Sequence, residues 1–550
     1  MAPVSLIDHT PSAYQFPLLI KHLLRTPLLH APKQEIVYRE LKRYDYTTLA
    51  ERIGRLANVL TTLGVGQGDT VGVMDWDSHR YLECYFSVPM MGAILHTVNI
   101  RLSPEQILYT INHAADDVLL VNTDFLPVLQ EIWKDIKTVK KIILLTDTET
   151  APQTSLAVAG EYESLLEKSA IDFDFPDFDE NAKATTFYTT GTTGSPKGVY
   201  FSHRQLVLHT ICVMGSIAGF SSGGGLNSGD VYMPLTPMFH VHAWGLPYIS
   251  TLLGVKQVYP GRYIPENILR LVQEEKVTFS HCVPTILHML LNSPAAAGTD
   301  LSNWKVIIGG SAFSKGLCKA ALDKGINAFT GYGMSETCPI LTIAVRKPKM
   351  TALSPERDLE IRCRTGIPVP LVDLKVIDAE GNEQPHDGLT VGEVVVRSPW
   401  LTQGYFREPE RSEELWQGGY LHTQDVGFID EEGYLQITDR IKDVIKTGGE
   451  WISSLQIEDI LTQHEGVSEA AAFGIPDEKW GERPIAFVIL KDNFVGKVSE
   501  DDIKAFFKEA VAGGALSKWG IPDKIIITDQ LPKTSVGKMD KRNLRKQYKQ

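Results

Sequence analysis

Apolar positions in the first third of the chain recur with two alternating periods. Leu49, Ile53, Leu56, Leu60 and Leu63 fall at helical spacing after Thr48-Leu49-Ala50-Glu51, which has the form of a capping box, and Gly64 is placed to end such a helix. The short β-branched run Thr70-Val71-Gly72-Val73 follows. Further on, a helix-like stretch from Glu105 to His113 precedes Val118-Leu119-Leu120-Val121, and another from Leu129 to Ile136 precedes Ile142-Ile143-Leu144-Leu145. Strands alternating with helices imply βαβ units and parallel sheets, so residues 1–180 read as one doubly wound layer of an α/β protein.

Length and charge narrow the class. At 550 residues the chain exceeds one ordinary core and is expected to form at least two domains. With 54 basic against 67 acidic residues, a net charge of -13 argues against nucleic acid as a partner. Cys84, Cys212, Cys282, Cys318, Cys338 and Cys363 lack Cys-x-x-Cys spacing and read as small core residues in a reducing compartment. The N-terminus has no basic region followed by an apolar stretch, and the longest apolar run, Tyr85 to Leu95, is broken by Pro89 and too short to span a bilayer. The C-terminal Tyr-Lys-Gln is not a peroxisomal address. A cytoplasmic protein without an integral membrane segment is expected.

The densest candidate chemistry is Thr189-Thr190-Gly191-Thr192-Thr193-Gly194-Ser195-Pro196-Lys197-Gly198, directly after the apolar pair Phe187-Tyr188. Glycines let a backbone present consecutive N–H groups to an anion, threonines add hydroxyl donors, and Lys197 adds a point charge, so the loop suits phosphate. It is not a Walker A loop, because Lys197 lies between Pro196 and Gly198. The apolar run Val306-Ile307-Ile308 stops at Gly309-Gly310-Ser311-Ala312, where a flat ring can lie close to the backbone. In Gly331-Tyr332-Gly333-Met334-Ser335-Glu336-Thr337 an aromatic face suited to a purine stands four positions before a carboxylate suited to a divalent cation. Taken singly, Tyr332 reads equally as a core aromatic and Glu336 as a cap. Met238-Phe239-His240-Val241-His242-Ala243-Trp244-Gly245 suits a pocket wall; its two histidines have metal-ligand spacing, but no Cys, Asp or Glu stands near them. Ser221 to Gly225 reads as a flexible surface loop, and the basic tail Lys541, Arg542, Arg545, Lys546 and Lys549 as a solvated helix face.

Together these motifs resemble, in kind and in order, those of the adenylate-forming superfamily of acyl-CoA synthetases, adenylation domains and luciferases, over roughly Leu49 to Lys538. The resemblance implies a large N-terminal domain (1–439) of doubly wound βα layers with a distorted barrel, and a small mobile α+β domain (440–550) swinging about Lys442. It implies that ATP or AMP is held by Thr189, Thr190, Gly191, Thr192, Thr193, Gly194, Lys197, Gly310, Ser311, Ala312, Gly331, Tyr332, Gly333, Asp425, Arg440, Lys446 and Trp451. Within that set Asp425 takes the ribose hydroxyls, and Thr189 with Glu336 holds Mg²⁺. Lys538, in Pro-Lys-Thr-Ser-Val-Gly-Lys, is then the catalytic lysine, with His240 beside the acid and Thr337 at the α-phosphate. Phe239, Val241, Trp244 and Gly309 form the acyl pocket, and Gly448 and Gly449 the coenzyme A channel.

Such a set permits a carboxylic acid to attack ATP, releasing pyrophosphate, and a thiol then to take the acyl group. The chain ends about a dozen residues after Lys538, so free coenzyme A is the expected acceptor. No Asp stands near His240 to hold an amino acid, and Trp244 and Trp451 in their contexts look most like medium- or long-chain fatty-acyl-CoA synthetases. The alternatives are a ligase for a short or substituted acid, such as an alkylthio- or arylpropionate, and a non-catalytic fatty-acid and nucleotide binder on the same fold. The resemblance also implies a homodimer.

Overall fold

The computed structural model describes residues 4–150, 152–189, 195–219, 224–348, 350, 353–447, 450–513, 516–534 and 537–549. The predicted alternation of strand and helix is present, built on two large sheets. In a seven-stranded sheet, Gly160–Glu161, Lys141–Leu145, Val118–Asn122, Thr70–Met74, Ile94–Thr97 and Lys183–Thr189 run parallel, and Lys197–Ser202 closes one edge antiparallel. The nine-stranded sheet has the parallel core Asn327–Gly333, Lys305–Ile308, Phe279–Cys282, Val231–Leu235, Lys256–Tyr259 and Glu35–Tyr38. Helices cover both sheets and bury near-continuous apolar strands, as parallel sheets require.

Residues 1–180 are therefore not one layer. Glu35–Tyr38 and Lys42–Asp45 belong to the nine-stranded sheet, where Ile36 pairs with Gln257, and the seven-stranded sheet needs Lys183–Ser202 for its last two strands. Period marks a strand; its partner is chosen by packing across the chain. The first long helix is Tyr46–Thr62, and its cap is Asp45, whose carboxylate accepts the Thr48 N–H, not Thr48 itself. An Asp at the N-cap does what the Thr48 hydroxyl was expected to do, three residues earlier. Gly64 follows the C-cap with φ 91°, as expected of a residue ending a helix.

Beside the two large sheets lies a five-stranded antiparallel sheet, Asp373–Ile377, Gly392–Arg397, Tyr420–Ile429, Trp416–Gln417 and Leu435–Arg440. A smaller α+β unit follows, with a second five-stranded sheet (Ile445–Thr447, Glu450–Ile452, Val467–Asp477, Gly481–Leu490 and Lys524–Ile527) and its own apolar cores. The six cysteines are free and five are buried. In the C-terminal helix only part of the basic run is solvated. Arg542 and Lys546 are exposed, but Lys541 is buried against Glu458 at 2.7 Å and Arg545 meets Asp443 at 2.8 Å. Helical geometry puts 541 and 545 on the inward face with Leu544 and Tyr548. Gly224 and Gly225, expected in a flexible loop, are packed: a Cβ on Gly224 would lie 2.8 Å from the Phe329 ring, and Lys305 Nζ donates to Gly225 O at 2.6 Å. Residues 221–223 of that loop lie outside the described residues.

Candidate active site

The strands that flank the glycine- and threonine-rich loop pair antiparallel, with Thr189 opposite Lys197. Thr190 to Gly194 lie outside the described residues. The hairpin exit is fixed by residues that motif reading passed over. Lys197 Nζ stands 4.2 Å from the Tyr405 ring centre, and the Phe406 N–H donates to Gly198 O at 2.8 Å. A side chain at 198 would meet Phe406 at 3.1 Å and the Tyr188 ring at 3.2 Å, a close fit. The Tyr405 hydroxyl donates to Glu336 Oε1 at 2.8 Å, linking the exit to the buried carboxylate.

Two strand ends of the nine-stranded sheet form the floor. Lys305–Ile308 stops at Gly309, where a Cβ would lie 2.6 Å from Gly331 O and 2.9 Å from Trp244 Cη2. Gly310 turns with φ 81°; Ser311 and Ala312 are exposed beyond it. Asn327–Gly333 ends in Tyr332, whose hydroxyl donates to Asp425 Oδ2 at 2.7 Å. Asp425 and Arg440 face each other across an antiparallel pair, which sets the Arg440 Nε 3.1 Å from Asp425 Oδ1. Tyr332, Asp425 and Arg440 thus meet although 93 residues separate Tyr332 from Asp425. Thr337 is fully buried, its hydroxyl accepting from the Met334 N–H at 3.0 Å and donating within its own turn to Met334 O and Pro339 O. Ser335, two residues before it, lines the pocket.

The wall Phe239 to Gly245 is conformationally unusual. Val241, His242, Ala243, Trp244 and Gly245 have φ of 40°, 57°, 46°, 59° and 74°, a left-handed run that L-residues adopt only under constraint. The constraint is visible at its start: Thr97 Oγ1 donates to Phe239 O at 2.9 Å, and the Met238 N–H donates to Asp77 at 2.8 Å. Phe239 is buried with the Arg101 guanidinium 5.9 Å from its ring. His242 points into an aromatic box of Tyr85, Phe187, Phe201 and Tyr248. Among the described residues no group of three or more His, Cys, Asp and Glu is placed to hold a metal ion. Trp244 is 5% exposed and packs on His281, ring centres 5.1 Å apart.

His240, Val241, Trp244, Val283, Ile307, Gly309, Gly310, Gly331 to Ser335, Pro339, Ile340 and Lys538 line one pocket. The free space between them is about 30 Å³, room for a water or two with Trp244 in place. Lys538 arrives from the small unit. Its Cε stands 3.1 Å from where a Gly310 side chain would begin, and Thr285 Oγ1 donates to Gly537 O at 3.1 Å. Burial, with Arg440 adding repulsion, lowers its pKa to about 8. Burial first, and then Lys538 and Arg101, lower His240 to about 3, so it is a neutral donor or acceptor at physiological pH. Lys446 and Lys442 are not in this lining; both are exposed, and the Lys446 N–H donates to Glu482 at 2.9 Å. Trp451 is described in its backbone alone, paired with Lys446, while Gly448 and Gly449 lie outside the described residues.

Fold and site together define a two-domain adenylate-forming enzyme. The chain belongs to the AMP-binding enzyme family, whose model matches residues 27–406, with the AMP-binding enzyme C-terminal domain matching residues 456–538. It is 41% identical over 524 residues to a long-chain fatty-acid–CoA ligase of Thermus thermophilus, covering 94% of this chain and 93% of that one. It is 37% identical to a 3-methylmercaptopropionyl-CoA ligase of Ruegeria lacuscaerulensis, covering 97% and 98%. The fold matches the crystal structure of an anthranilate CoA ligase in complex with anthranoyl-AMP, with a TM-score of 0.83 at 24% identity over 97% and 98% of the two chains. No helix among the described residues is long and apolar enough to cross a membrane.

Proposed function

We propose that the chain is an ATP-dependent fatty acid–CoA ligase for medium- or long-chain acids. The observation that carries this reading is the convergence of Lys538 from the small unit on a pocket walled by His240, Trp244, Gly309 and Tyr332. A carboxylate oxygen attacks the α-phosphorus, forming acyl-AMP and releasing pyrophosphate; a coenzyme A thiol then takes the acyl group, releasing AMP and a proton. Both first-step reactants are anions, so a cation pre-placed at the reacting phosphate acts on charge that builds in the transition state. Lys538 is that cation, and its lowered pKa is restored when anionic substrates enter. His240, neutral, orients the acid without adding charge. Tyr332 presents its face to adenine while its hydroxyl and Arg440 hold the Asp425 carboxylate for the ribose.

Glu336, with Thr189, offers hard oxygen donors of the kind Mg²⁺ takes, and one carboxylate plus substrate phosphates is the usual Mg²⁺ arrangement. When bound, the ion neutralises phosphate charge. Tyr405 and the hairpin exit hold Glu336 in place for it. The Thr337 hydroxyl is engaged in its turn, so contact with the α-phosphate requires that turn to open or its neighbour Ser335 to serve. The same reading takes residues 440–550 as the mobile unit hinged at Lys442 and passes the thiol by Gly448 and Gly449. It also places a homodimer in the cytoplasm, the dimer checked by light scattering.

The fatty-acid choice draws on the Thermus relative and on Trp244, whose indole covers the floor at Gly309, where an acyl chain would pass. Pyrophosphate release with acids from C4 to C18, methylthiopropionate and arylpropionates, each with and without coenzyme A, tests it. The expected result is release with every competent acid, rising with chain length. A preference for methylthiopropionate would favour the chemistry of the Ruegeria relative, and no release with any acid would leave a non-catalytic binder.

A further inference from the structure

Two contacts of the small unit with the large one fall on a single segment, residues 310–316. At one end, Lys538 lies over Gly310. At the other, Asp459 Oδ1 accepts the backbone N–H of Lys315 at 3.3 Å, at the first residue of the helix Lys315–Asp323. Asp459 stands in the helix Ser454–Thr462 of the small unit, and the last carbonyl of that helix, Thr462 O, lies 3.3 Å from where a side chain on Gly316 would begin. The C-terminal end of one helix thus abuts the N-terminal end of another, opposite ends of the two backbone dipoles, with a carboxylate and the Lys315 ammonium adding attraction of the same sign. Other hydrogen bonds join the units: His288 with Ser468 at 3.2 Å, Thr285 with Gly537 at 3.1 Å and, beside the boundary itself, the Ser454 N–H on Asp439 at 2.6 Å and the Ser453 hydroxyl on the Thr438 carbonyl. Asp459 also accepts from its own Gln463 at 3.2 Å, which fixes its rotamer toward the helix it caps.

We propose that Asp459 is a positioning residue: by capping the helix Lys315–Asp323 across the domain boundary it holds the small unit in the pose that delivers Lys538, and its release frees that unit for thioester formation. The inference rests on the two-step reading above. Its geometric basis is that cap and lysine bear on the same short segment, so the dock at 315–316 sets the placement of Lys538 over 310. Gly316 belongs to the device, because any side chain there pushes against the Thr462 carbonyl.

The test measures the two half-reactions separately in Asp459→Ala, Asp459→Asn and Gly316→Val. Losing a charged hydrogen bond at a helix N-terminus should slow single-turnover acyl-AMP formation by about tenfold in Asp459→Ala. Asp459→Asn, which keeps the oxygen and loses the charge, should fall between it and wild type. Gly316→Val, acting from the opposite side of the contact, should reproduce the effect. Thioester formation from supplied acyl-AMP should be unchanged or faster in all three. Small-angle scattering of the ATP-saturated enzyme should show a larger radius of gyration in the variants. Equal losses in both half-reactions, or unchanged adenylation in Asp459→Ala, would overturn the assignment. If wild type activated no acid at all, the functional reading would fail instead, and scattering alone would still decide whether Asp459 sets the pose.

Discussion

Trp244→Ala separates a gate from a core residue. The indole is 5% exposed, rests on His281, belongs to the main apolar core, and stands at the point where a Gly309 side chain would collide with it. As an ordinary core tryptophan its truncation would cost roughly 3–5 kcal/mol. For a cooperative unit of some 440 residues, with an unfolding entropy of about 0.9 kcal/mol/K, that is a fall in Tm of about 4 °C. The ring also borders the pocket, however, so its removal opens space continuous with that pocket instead of a sealed void, and the fall should be under half that figure. Function should move more. With the ring in place about 30 Å³ is free, so on the gate reading a chain of several carbons displaces the indole. Each methylene then buried contributes about 0.8 kcal/mol, near fourfold in kcat/KM, until the end wall is reached. In Trp244→Ala, acids long enough to pass Gly309 no longer displace a ring, whereas short acids gain nothing. The ratio of kcat/KM for C12 over C4 should therefore shift by more than about tenfold, read by pyrophosphate release across C4 to C18 beside a melting curve. An unchanged ratio with early melting would refute the gate, and a profile flat with length in both proteins would refute the acyl tunnel.

Lys538→Ala should lower adenylation by roughly 10²–10³ and leave thioester formation from supplied acyl-AMP largely intact; equal losses would remove the lysine from its assigned role. Because the Lys538 pKa lies at about 8, below the usual 10.5, the free enzyme carries its cation below that pH and loses it above. Adenylation kcat/KM should fall as pH rises through about 8, and Lys538→Arg should move that limb upward. Between about 8 and 10.5 the unfolded chain binds the extra proton, so this lysine's contribution makes stability rise with pH there, visible as a difference between wild type and Lys538→Met. Gly309→Ala places a methyl 2.6 Å from Gly331 O and 2.9 Å from Trp244, so activity should be lost while ATP still binds, as calorimetry would register. Lys442 is third in the turn closed by the Asp443 N–H on Arg440 O at 2.8 Å, where proline is disfavoured. Lys442→Pro should reduce adenylation modestly and thioester formation severely, and wild-type turnover of coenzyme A would move the swivel elsewhere.

Many of the residues that meet at the candidate site were legible in the sequence because their signals are local. A glycine-rich run after an apolar strand, glycines where Trp244 and Lys538 press on the backbone, and Tyr332 four residues before Glu336 are all set within a few positions of one another. Helix periods and the stop at Gly64 were readable for the same reason. What the sequence left undetermined involves distance. Ile36 pairs with Gln257, placing the first strands in the other sheet; Tyr405 reaches Glu336; Asp459 caps a helix far upstream. Lys541 and Arg545 looked like solvated charges because a basic run has the same composition whichever face it turns inward, and only Glu458 and Asp443 decide that face. The left-handed turn at Val241 to Gly245 carries no marker apart from its final glycine, and the residues that anchor its approach, Thr97 donating to Phe239 O and Asp77 accepting from the Met238 N–H, lie far upstream. By itself the sequence determined the periods, the turns and the order of the chemical groups, which depend on neighbours along the backbone. Strand partners, the pairing of buried charges and the strain at Val241 to Gly245 were decided only by the tertiary structure, because they arise from contacts through space between segments far apart in the chain.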